Sequence, residues 1–123
     1  MHTDKDTTVE ELKQLLRNFR EERDWAQFHD PKNLAEAISI EAAELLQLFL
    51  WKNPESVAMM INTDGEFRRA VEEELADIVC FALNLANSVE IDVAQIVRRK
   101  IALNDVRYSV AKSKGVATKY NKL

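Results

Sequence analysis

Two pairs of acids sit where the chain should be burying hydrocarbon. Glu41 and Glu44 lie in the apolar run from Leu34 to Phe49, and Glu74 and Asp77 lie in the run from Phe67 to Leu85. With Leu34 at 0° and about 100° per residue, Glu41 falls near ~340°, inside the apolar arc, and Glu44 near ~280°, at its edge. Starting again from Phe67, Glu74 and Asp77 fall at about the same two angles, ~340° and ~280°. Glu72 and Glu73 fall outside the arc and read as solvent-facing. Carboxylates turned into a helix seam are costly to desolvate unless positive charge meets them. A hard divalent cation meets that need, and an all-oxygen donor set favours Mg²⁺ or Mn²⁺ over zinc. Lysines and arginines reaching across the seam would meet it too. No histidine or cysteine cluster points to a softer metal.

The elements that must carry these acids follow from periodicity. A first helix is expected over about Thr8 to Arg23, with Leu12, Leu15, Leu16 and Phe19 as its apolar stripe. Residues 24–32 break the pattern and hold Trp25, Phe28, His29 and Pro31; Asn33 is then expected to cap a second helix running to about Leu50. Pro54 to Met60 suggests a short helical piece and Asn62 to Gly65 a turn. A third long helix should cover about Glu66 to Asn87, and Asp92 is a suitable cap for a last one over about Val93 to Ala111. Met1 to Asp6 and the stretch from about 112 to 123, with Lys112, Lys114, Lys119 and Tyr120, read as tails. The expected fold class is all-α, a bundle of four main helices forming one domain over residues 1–123. If the two central helices run antiparallel, their acids converge from opposite walls.

The last helix adds basic and amide groups. Lys100, Asn104 and Arg107 share the side that carries Val93, Ile96, Val97 and Leu103. Such groups are either structural ion-pair partners or grips for phosphate oxygens. Lys32 and Asn33, at the start of the second helix, carry the same two readings, and an anion there would also meet free backbone amides. Acids, a cation and basic groups together suggest phosphoryl chemistry. Trp25, Phe28 and Trp51 flank the second helix, where they either stack on a base or pack in a core or subunit contact. His29 reads as a turn or supporting residue.

Composition narrows the class. The 123 residues include two Gly and two Pro, which favours long helices over a turn-rich β fold. One cysteine, Cys80, permits no internal disulfide and reads as core filler. With no apolar run of 18 residues and no secretory signal pattern, a soluble protein of a reduced compartment, the cytoplasm, is expected. The net charge of −4 speaks against coating a nucleic-acid polymer.

These residues carry a specific resemblance. Glu-Arg-Asp-Trp at 22–25, Phe-His-Asp-Pro-Lys-Asn-Leu at 28–34, Glu-Ala-Ala-Glu-Leu at 41–45 and Glu-Leu-Ala-Asp at 74–77 resemble the MazG-like nucleoside triphosphate pyrophosphohydrolases, in particular the dCTP pyrophosphatase branch. Lys100, Asn104, Arg107, Tyr108, Lys119 and Tyr120 continue the likeness, which spans about residue 9 to 123. The resemblance implies an all-α enzyme that cleaves a nucleoside triphosphate between its α and β phosphates, releasing monophosphate and pyrophosphate. It implies that Glu41, Glu44, Glu74 and Asp77 hold Mg²⁺; either one of the acids, Glu44 foremost, orients or deprotonates the water, or metal activation alone suffices. Lys100 and Asn104 match positions near the phosphates, with Lys32, Asn33, Arg107 and Tyr108 as further substrate-side candidates, and Trp25 and Trp51 match the nucleotide pocket. A homodimer or homotetramer with its site at a subunit boundary is also implied, and the apolar residues Phe49, Leu50, Val57, Met59, Met60 and Ile61 agree with surface left to bury.

Two departures stand out. A pocket histidine of the animal dCTP enzymes corresponds to Leu16, and the usual Tyr-Pro after the last helix is Tyr108-Ser109. The first bears on cytosine specificity and the second on local stiffness. A hydrolase of modified nucleotides would carry the same acids, and a noncatalytic nucleotide sensor would bind without cleaving.

Overall fold

Each long helix begins where a side chain can accept from its first free amides. The computed structural model describes residues 2–123, with α1 at Val9–Glu22, α2 at Pro31–Gln47, α3 at Pro54–Thr63, α4 at Gly65–Ser88, α5 at Val93–Arg107 and α6 at Val110–Ser113. Single 3₁₀ turns occupy Ala26–Phe28 and Tyr120–Lys122, and the described residues contain no strand. The all-α expectation holds. Among the described residues, no helix is long and apolar enough to cross a membrane.

Thr8 and Glu11 close a capping box at the start of α1. The α2 cap is a correction: it is Asp30, not Asn33. Asp30 is extended, its carboxylate accepts from the Asn33 amide at 2.9 Å, and Pro31 follows at the first helical position, where its fixed φ suits the helix. Asn33 instead lies in the first turn, its side-chain amide donating to Asp30 at 2.7 Å and to the Phe28 carbonyl at 3.3 Å. Asn53 caps α3, Asp64 caps α4 and Asp92 caps α5, the last as expected.

Two helix ends fall short of their expected places. After Gln47 the chain tightens, with Leu48, Phe49 and Leu50 each donating to the carbonyl three residues earlier. Trp51 then takes φ 62°, a rare conformation for a bulky residue, which ends the turn. α5 stops at Arg107 because Tyr108 leaves helical geometry at φ −115° and ψ 67°.

Two units are distinguished, residues up to Glu90 and residues from Ile91. In the first, α4 packs along α2, and α1 and α3 pack on α4. Leu34, Leu83 and Ala86 are buried there; full burial of a leucine such as Leu34 contributes roughly 1.5–3 kcal/mol. A polar clasp joins α1 to α4: Arg17 donates to the Asn87 side chain at 2.7 Å, and Asn87 donates to the Lys13 carbonyl at 3.1 Å. Much apolar surface stays open, including Trp51 at 94%, Leu46 at 71% and Met59 at 66% exposed.

In the second unit the closing segment folds back on the end of α5. Tyr120 meets Tyr108 edge-on at 5.9 Å, and the Arg107 guanidinium lies over the Tyr120 ring at 4.6 Å. That aromatic contact is not legible in the lysine-rich composition around it.

Candidate active site

Glu41, Glu44 and Glu74 each offer a carboxylate oxygen, and these oxygens lie within 4.8 Å of one another. Phe49 meets Phe67 edge-on at 5.9 Å, while Glu41 and Glu44, earlier in α2, meet Glu74, later in α4. That opposite order makes the two helices antiparallel, so the acids face each other across their seam. Glu41 and Glu74 are half-buried, whereas Glu44 is exposed at the edge, beside an apolar groove formed by Ile40, Ala43, Leu46, Gln47 and Leu50. Asp77 is exposed and outside this trio, although its charge is felt at Glu41.

Ion pairing across the seam does not account for the cluster. The ion pairs seen among the described side chains join Arg17 to Glu10, Arg20 to Glu21, Arg23 to Glu22, Lys32 to Glu36 and Arg68 to Glu72. None takes up Glu41, Glu44, Glu74 or Asp77. One oxygen each of Glu41 and Glu74 is buried without a hydrogen-bond partner, an arrangement that is costly for a carboxylate left alone. Burial pushes the Glu41 carboxyl from 4.5 up to about 7, aided by the adjoining Glu74 and Glu44 carboxyls and then by the charges of Glu44 and Asp77. Orphaned buried oxygens in an all-oxygen donor set fit a hard divalent cation.

The other residues of the first unit divide by what already holds them. Lys32 pairs with Glu36 at 2.8 Å, and Asn33 is engaged in the α2 cap. Trp25 packs edge-on against Phe19 at 5.7 Å and lies 6.5 Å from the His29 ring. Burial, and then the Arg20 charge, lower the His29 pKa, favouring the neutral ring. Trp51 projects into solvent with a face available for stacking. Cys80 is half-buried; burial and the Asp77 charge push its thiol pKa up, which keeps it protonated.

In the second unit Lys100 is exposed and Asn104 half-buried, one turn apart on α5. Arg107 and Tyr108 are engaged with Tyr120. One residue that periodicity gives no reason to single out is Arg20. Its side chain is 15% exposed, and its Nε is buried without a partner. Nothing in the sequence sets it apart from Arg17 on the same helix.

This acid-bearing helical framework has known counterparts. The chain belongs to the MazG-like family, whose model matches residues 37–123. Among its relatives, dCTP pyrophosphatase 1 of Bos taurus is 40% identical over 94% of this chain and 68% of that protein. The Homo sapiens dCTP pyrophosphatase 1 is 34% identical with the same shares covered. A pyrophosphatase of Archaeoglobus fulgidus superposes with a TM-score of 0.77 at 37% identity, covering 89% of this chain and 98% of that one.

Proposed function

We propose that this chain, as a single MazG-like domain, hydrolyses a deoxynucleoside triphosphate between its α and β phosphates, with a pyrimidine such as dCTP preferred. The observation that carries the proposal is the Glu41–Glu44–Glu74 cluster, with its buried unpartnered oxygens, in a chain 34–40% identical to proteins named dCTP pyrophosphatase 1. Glu41, Glu44 and Glu74 would hold Mg²⁺, for which Mn²⁺ could substitute, and Asp77 would complete the set from the rim. Bound there, the ion would offset phosphate charge and lower the pKa of the attacking water.

Glu44, exposed at the edge of the cluster, orients that water and accepts its proton. The water oxygen bonds to the α-phosphorus as the bond to the bridging oxygen breaks, giving monophosphate and pyrophosphate. Lys100 and Asn104 hold phosphate oxygens, with Lys32, Asn33, Arg107 and Tyr108 as further substrate-side groups. Trp25 and Trp51 stack on the base.

The protein acts as a homodimer or homotetramer, a reading supported by the exposed apolar side chains of α1, α2 and α3, Leu15 and Leu46 among them. The test is a panel of dNTPs and NTPs incubated with Mg²⁺, with products resolved by chromatography and assembly mass followed by sedimentation. Monophosphate and pyrophosphate are expected from an oligomer. Release of orthophosphate instead, or no product at all, would overturn the assigned bond cleavage.

A further inference from the structure

We infer that Arg20 reads the base, its guanidinium donating to the paired acceptors O2 and N3 of cytosine. The inference rests on the proposed nucleotide site beside Trp25. Asp24, at φ 53°, turns the chain back at the end of α1, and the Trp25 amide donates to the Arg20 carbonyl at 2.9 Å. This sets the Trp25 ring against Phe19 and near His29. The aromatic corner therefore carries a guanidinium and an imidazole whose Arg20 Nε and His29 Nδ1 are both buried without partners.

Arg20 is not consumed by another structural role. Its ion pair with Glu21 spans 3.8 Å and joins it to a largely exposed neighbour, well beyond the usual charge-assisted hydrogen-bond distance. The nearby Arg23, by contrast, is spent on Phe19, its guanidinium 3.6 Å from the ring centre. Leu16, one turn before Arg20, offers a base no hydrogen bond. Arg20 can supply the polar contact from the next turn of the same helix.

The donor pattern determines the base. Arginine donates and never accepts, through a rigid planar fork. Among the Watson–Crick edges only cytosine presents two adjacent acceptors, O2 and N3. Thymine and uracil place an N–H between two carbonyls, adenine offers one acceptor beside an amino group, and guanine offers donors beside O6. Guanine can match the fork through N7 and O6 on its other edge, so it is the informative competitor.

The experiment measures binding of dCMP, dTMP and dGMP to the full-length wild-type protein and to Arg20→Met by calorimetry with Mg²⁺, alongside turnover of the three triphosphates. Wild type should prefer dCMP. Arg20→Met should lower dCMP affinity about tenfold more than dTMP affinity, the scale of one bidentate base contact, with a matching fall in the dCTP to dTTP ratio of kcat/KM. Arg20→Lys, which keeps charge without the fork, should restore only part of it. Should Arg20→Met fail to fold, wild type should bind 3-deaza-dCMP, which lacks the N3 acceptor, about tenfold more weakly than dCMP. Unchanged base ratios in the folded variants, equal affinity for the 3-deaza analogue, or a wild-type preference for dGMP would overturn the inference. Cytosine selectivity that depends on Arg20 without any triphosphate cleavage would sustain the inference while removing the hydrolase reading; cleavage with unaltered ratios would do the reverse.

Discussion

Replacing Glu41 or Glu74 by Gln is expected to lower turnover of the preferred triphosphate by at least about a thousandfold. The amide keeps the shape of the side chain but removes the charge with which the cluster holds a divalent cation. Charge stabilisation at such a centre is worth several kcal/mol, and each ~1.4 kcal/mol is tenfold in rate. Both residues contribute to the half-buried part of the cluster and both keep one oxygen without a protein partner. Asp77→Asn should cost less, because Asp77 is exposed and outside the trio of close oxygens. Glu73→Gln provides the control, since that exposed side chain is outside the cluster. Steady-state product formation with Mg²⁺, together with circular dichroism to show retained helix, measures these effects. Wild-type rates in Glu41→Gln and Glu74→Gln would remove the acids from the chemistry.

The second large effect is a pH-dependent stabilisation by metal. In the metal-free chain the Glu41 carboxyl is raised from 4.5 to about 7, chiefly by burial. Folding therefore favours the protonated form, so Glu41 contributes stability below the unfolded value of 4.5 that is lost as pH rises through about 7. Cation binding opposes that loss because it takes the deprotonated carboxylate. At a hundredfold excess over its dissociation constant, Mg²⁺ would stabilise the fold by about 2.7 kcal/mol, a rise of roughly 10 °C in melting temperature. The rise should be larger at about pH 8 than at about pH 5.5, where proton and metal compete for the same oxygens. Thermal melts with Mg²⁺ or EDTA at both values measure it, and Glu41→Gln should erase most of the difference. An equal Mg²⁺ effect at both values would disconnect Glu41 from the cation.

Much of the framework is legible from local rules because its causes are local. Thr8 with Glu11, Asn53 with Pro54, and Asp92 carry helix starts in residue types and spacings that satisfy free amides. Asp30 and Asn33 compete as the α2 cap in the sequence, since both side chains join one hydrogen-bonded turn. The turn after α2 stops at Trp51 and α5 stops before Tyr108 through backbone angles that periodicity does not encode. Arg20 is not legible in the sequence, because an arginine near a helix end is ordinary until its Nε lies buried and unmatched.

Helical periodicity alone puts Glu41, Glu44, Glu74 and Asp77 on the apolar sides of two helices, because the period sets each side chain's angle about its own axis. Which acids meet depends on how the helices pack, because that angle contains nothing about how far one helix slides along another. The antiparallel packing of α2 and α4 brings Glu41 and Glu44 to Glu74 and leaves Asp77 outside their close trio. It also leaves two carboxylate oxygens buried without partners. Residue type made the cluster acidic; packing made it a candidate site for a cation.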